Sequence, residues 1–81
     1  MEIAVEISMY PLTEGYLRPI QLFIDALRAN ENLHVVTNTM STQVLGEYDT
    51  VFAALQKAMR ESLESGPRAV FVTKFLPRDA G

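Results

Sequence analysis

The order of periodicities along the chain predicts an α+β domain, a four-stranded antiparallel sheet with two helices packed on one face. Three observations carry this. The amino-terminal segment alternates between apolar and mostly polar positions, two later segments repeat apolar residues at helical spacing, and short β-branched runs follow the first helix and the second. The elements fall in the order β-α-β-β-α-β.

The first strand is read over Glu2 to Tyr10. Ile3, Val5, Ile7 and Met9 fall on one side, and Glu2, Ala4, Glu6, Ser8 and Tyr10 on the other, because strand side chains switch faces at each residue. Pro11 lacks a ladder donor and closes it. After the loop Thr13-Glu14-Gly15, Ile20, Phe23, Ile24 and Leu27 form one apolar stripe at helical spacing, with Pro19 in the first turn, where its missing N–H is not needed. Asn30 to Asn32 ends that helix. Leu33 to Thr37 is a second strand, Asn38 and Thr39 a turn, and Met40 to Leu45 a third strand broken by Gly46. Tyr48, Val51, Phe52, Leu55, Met59 and Ser62 mark the second helix, with Glu47 and Asp49 at its positive end and Gly66-Pro67 as its stop. Ala69 to Leu76 is the fourth strand, and Pro77 to Gly81 a tail. Residues 1–81 read as one domain of ferredoxin-like arrangement, with the first and third strands central and the second and fourth at the edges.

The fourth strand is apolar on both faces. Ala69, Phe71 and Phe75 share one; Val70, Val72 and Leu76 share the other. Helices cover only one face of such a sheet, so the sequence predicts that a second copy of the chain covers the other, as a homodimer or higher homo-oligomer. A merely tolerant edge strand is the alternative, since exposed apolar atoms are common.

Composition narrows the function. The 81 residues carry a formal charge of −3 and no cysteine, which excludes disulfides and thiolate metal ligands. The seven Lys and Arg are scattered singly, so no basic stripe awaits nucleic acid. No apolar run approaches the roughly 18 residues that span a bilayer, and because the sequence opens directly on a strand pattern no signal peptide is expected. The cytoplasm is the expected compartment.

Catalytic chemistry finds little foothold. The single histidine, His34, sits in a strand without a partner for a metal or a triad, and reads as a surface or edge residue. Glu2 and Glu6 share a face, but four strand residues hold their backbones ~13 Å apart, beyond the roughly 5–9.5 Å used in glycoside chemistry. The glycines are too dispersed for a phosphate loop. Neither catalytic residues nor metal ligands nor a cofactor are expected.

A polar cluster remains at one end of the sheet. Ser8 and Tyr10 lie at the carboxyl end of the first strand, where the antiparallel third strand begins with Met40, Ser41, Thr42 and Gln43; the turn adds Asn38. Flat apolar contact with a few placed donors and acceptors is what a small heteroaromatic ligand needs. Hydroxyls and a turn Asn are also ordinary strand-end residues. The residues alone leave both readings open.

Those residues also carry a resemblance. Ile7-Ser8-Met9-Tyr10-Pro11-Leu12 is similar to the first-strand signature of the YkoF-like thiamin/hydroxymethylpyrimidine-binding proteins, and Thr37-Asn38-Thr39-Met40-Ser41-Thr42-Gln43-Val44-Leu45-Gly46-Glu47-Tyr48 resembles their most distinctive stretch. The pattern of Tyr16, Pro19-Ile20 and Phe23-Ile24 matches too. The resemblance implies a ferredoxin-like fold, association through sheets and non-catalytic binding of thiamin or its pyrimidine. It assigns ligand contacts to Ser8, Tyr10, Asn38, Met40, Ser41, Thr42 and Gln43, with Asn38, Gln43 and the hydroxyls at the aminopyrimidine edge and Tyr10 and Met40 against its flat face. Some members carry two such domains in tandem; here a homodimer takes that place. Alternation puts Ser41 and Gln43 opposite Met40 and Thr42, so all seven share one pocket only with a bulge or a partner subunit. The competing reading is a structural or regulatory domain whose open sheet face binds another protein. An enzyme of ferredoxin-like fold is the third reading; an acylphosphatase-type site would need an Arg-bearing loop after the first strand, and Tyr10 to Gly15 holds no Arg.

Overall fold

The structure, a computed structural model, describes residues 1–78. The first strand, β1 (Glu2–Pro11), buries Ile3, Val5, Ile7 and Met9 and turns its even-numbered residues to the other side of the sheet. It is followed by α1 (Leu17–Arg28), β2 (His34–Thr37), β3 (Thr42–Glu47), α2 (Tyr48–Ser65) and β4 (Ala69–Pro77). All pairings are antiparallel, in the order β2-β3-β1-β4. This is the ferredoxin-like α+β arrangement, with β1 and β3 central. The tail read over Pro77 to Gly81 differs at its start, since Pro77 closes β4; Asp79 to Gly81 lie outside the described residues.

Helix α1 uses the stripe its spacing predicts, whereas α2 does so in part: Tyr48 and Phe52 are exposed, and Ala58, outside the expected stripe, is buried. In α1, Phe23 and Leu27 are buried and Ile20 and Ile24 half-buried, while Pro19 sits in the first turn, where no i−4 carbonyl is available. The Phe23 ring meets Phe71 of β4 at a centroid distance of 5.2 Å. In α2 the buried side chains are Val51, Leu55 and Ala58. Its N-cap is Glu47, whose carboxylate accepts the Asp49 N–H at 2.7 Å. Together with Val44 of β3, these residues and the odd positions of β1 form the core.

The strand ends depart from the sequence reading in informative ways. Gly46 does not break β3 but lies within it, paired with Ile3. A Cβ at this position would come within 2.9 Å of Leu33 Cδ2 and 3.2 Å of Val51 Cγ2. Glycine here admits a close approach of neighbours, its usual meaning inside a strand. Leu33 precedes β2 and packs against the core, and β3 begins at Thr42 rather than Met40.

The face of the sheet away from the helices carries Tyr10, Val36, Val70, Val72 and Leu76, each at least 40% exposed. Near its centre the Glu6 carboxylate accepts a hydrogen bond from Ser41 Oγ at 3.2 Å and lies 3.6 Å from Lys74 Nζ. So solvent-exposed an ion pair contributes at most about 1 kcal/mol.

Candidate functional site

β1 is longer than its inner partner. It pairs with β4 as far as Pro11, but with β3 only as far as Ile7, opposite Thr42. Past that point the β2–β3 connection swings away, and a hollow of about 140 Å³ opens between the end of β1, helix α1 and the turn.

The turn is shaped by one side chain. Asn38 Oδ1 accepts the backbone N–H of Met40 at 2.7 Å and that of Ser41 at 2.8 Å, while the Asn38 N–H donates to the Ser41 carbonyl at 3.0 Å. Such an Asx-type turn offers the backbone an alternative to the ladder. Ser8 Oγ makes a long bond, 3.4 Å, to the Met40 carbonyl. Behind the turn, Arg28 of α1 donates to Thr37 Oγ1 at 3.1 Å and ties the helix to the end of β2.

Six of the seven residues read as ligand contacts line this hollow: Ser8, Tyr10, Asn38, Met40, Ser41 and Thr42. Gln43 does not. It is exposed in β3, opposite Glu6 and Val36, on the face away from the helices. The alternation anticipated for this stretch holds within β3, where Thr42 is buried and Gln43 exposed. Ser41 and Met40 escape it because they precede the strand. The turn occupies Asn38 Oδ1, which leaves the Nδ2 group of Asn38 as the part that can donate to a ligand.

The hollow also has an apolar floor, made by Ile20, Phe23 and Ile24 of α1 with Ile7 and Met9 of β1. The sequence reading assigned these to the core stripe, and periodicity cannot separate a core position from a pocket floor. The residues lining it carry hydroxyls, an amide, a phenol and two thioethers, with no carboxylate, imidazole or ammonium, and Ser8 and Tyr10 border it from the face of the sheet away from the helices. Two other features lie elsewhere. A groove of about 390 Å³ between the outer surfaces of α1 and α2 involves none of the rim residues. His34 stands exposed on edge strand β2, and no cluster of three or more His, Cys, Asp or Glu able to hold a metal occurs among the described residues. No helix among them is long and apolar enough to cross a membrane.

Residues 5–79 match the model of the family described as thiamine-binding protein. The chain belongs to that family. Solved structures agree on the fold of this family member. The hypothetical protein MJ1052 from Methanocaldococcus jannascii is 26% identical, with a TM-score of 0.82 over 99% of this chain and 84% of that one. Protein SP2199 from Streptococcus pneumoniae is 20% identical, with a TM-score of 0.87 over 99% and 90%. A Thermotoga maritima protein, TM0486, described as a candidate for thiamine biosynthesis or salvage, is 16% identical, with a TM-score of 0.84 over 96% and 85%. None of the curated proteins matches the chain.

Proposed function

We propose that this thiamine-binding family member binds thiamin or its hydroxymethylpyrimidine moiety, without catalysis, in the hollow at the end of β1. The observation that carries the reading is the convergence of Ser8, Tyr10, Asn38, Met40, Ser41 and Thr42 on one ring-sized space over an apolar floor. Size decides which part of the ligand enters. A cavity of about 150 Å³ admits a benzene-sized ring, whereas drug-sized ligands occupy roughly 300–1,000 Å³. The 140 Å³ here fits one six-membered heterocycle, so the pyrimidine enters and the thiazolium of thiamin stays outside.

The chemistry of the walls supports binding rather than turnover, since the lining side chains include no carboxylate, imidazole or ammonium. No cofactor enters this reading. The exposed apolar residues of the open face, Val70, Val72 and Leu76 with Tyr10 beside them, support a homodimer that covers that face. Calorimetric titration of the purified protein tests the function. Saturable heats are expected with both thiamin and free hydroxymethylpyrimidine, with neither compound consumed. Absence of binding by both would overturn the reading.

A further inference from the structure

We infer that the main-chain N–H and C=O of Met9, rather than a side chain, read the donor–acceptor edge of the bound aminopyrimidine. This rests on the ligand reading proposed above and says which atoms do the recognising. Consecutive strand residues direct their peptide groups to opposite sides, and three bonds fix which is which in β1. The Leu12 N–H bonds the Arg68 carbonyl and the Arg78 N–H bonds the Glu2 carbonyl, so even-numbered residues face β4. The Tyr48 N–H bonds the Met1 carbonyl, so odd-numbered residues face β3. The pairing is continuous from Glu2 to Ile7 on one side and from Ile3 to Pro11 on the other, so the parity is kept along the strand. Met9 therefore presents its N–H and C=O toward the side where β3 is missing.

Continued by two residues, the register of β1 with β3 would set Met40 against Met9. Met40 is withheld from that place. Its N–H is taken by Asn38 Oδ1 at 2.7 Å, and its carbonyl accepts Ser8 Oγ. The pairing of β1 with β3 ends at Ile7 and Thr42, and among the described residues none of the hydrogen bonds outside the strand ladders uses the Met9 N–H or C=O. Met9 borders the hollow, so in the unliganded protein these two groups are left to water, which a ligand must replace bond for bond. One donor beside one acceptor, facing a ring-sized space, complements an aminopyrimidine, whose amino N–H lies next to a ring-nitrogen acceptor. The ligand takes the place of the missing strand residue.

Amide-resolved hydrogen exchange of the full chain tests this, with free hydroxymethylpyrimidine as the probe. In the unliganded protein the Met9 amide should exchange faster than those of Val5 and Ile7, which β3 covers. At saturation its exchange should slow by about tenfold or more, the response of a newly partnered amide. An analogue lacking the amino group should bind roughly 5- to 150-fold more weakly, since the Met9 carbonyl is then left without a donor. A Met9 amide already slow without ligand, or unchanged while the pyrimidine binds, overturns the inference and leaves the function standing. No binding at all overturns both.

Discussion

The backbone N–H of Met40 lies 2.7 Å from Oδ1 of Asn38, and this contact keeps Met40 out of the strand its sequence position suggests. The same oxygen holds Ser41, so β3 starts at Thr42 and the end of β1 is left uncovered. One amide side chain thereby creates the open space that the proposed ligand enters.

Asn38→Ala should weaken both fold and binding. Two backbone N–H groups lose their acceptor, at about 1–2 kcal/mol in total because the turn is exposed. Asn38→Asp keeps the oxygen and should recover most of that loss in urea denaturation. Equal stability of Asn38→Ala and the parent would show that the turn does not depend on this side chain.

Gln43→Ala should leave pyrimidine affinity within about twofold of the parent, since Gln43 is outside the hollow and a surface truncation elsewhere perturbs little. Thr42→Ala, at a buried position lining it, should weaken binding by roughly five- to tenfold through one lost contact. Titration calorimetry of the two variants makes the comparison. The reverse ranking would move the ligand to the open face.

Gly46→Ala should destabilise the fold by about 1–2 kcal/mol, because the new methyl meets Leu33 and Val51 and small-to-large changes in packed sites cost about that much. Combining it with Leu33→Ala, which removes the nearest atom, should cost less than the sum of the single changes. Strict additivity in denaturant melts would rule out this contact as the cause.

Val72→Lys should dissociate the proposed homodimer. Val72 is half exposed on the open face beside Ser8, and a charge buried there without a partner strongly disfavours association. Sedimentation equilibrium reads the result. A parent protein that is already monomeric at micromolar concentration would remove the premise.

Much of this architecture was legible in the residues. The alternation of Ile3, Val5, Ile7 and Met9 and the stripe through Phe23 and Leu27 report burial directly, because apolar side chains at period 2 or 3.6 must share a face. The element order follows, and with it the end of the sheet where Ser8, Tyr10 and Asn38 gather. Side-chain identity was less informative where a residue serves its neighbours. Gly46 looks like a strand breaker in sequence, yet it sits inside β3, where Leu33, just before β2, and Val51 of α2 close over it. Alternation already set Gln43 opposite Thr42, but only tertiary structure decided that Ser41 joins Met40 and Thr42 at the rim, since the Asn38 turn holds Ser41 before the start of β3. The open peptide groups of Met9 were beyond any reading of side chains. Every residue but proline carries the same donor and acceptor, and which pair goes unpartnered depends on where a neighbouring strand ends.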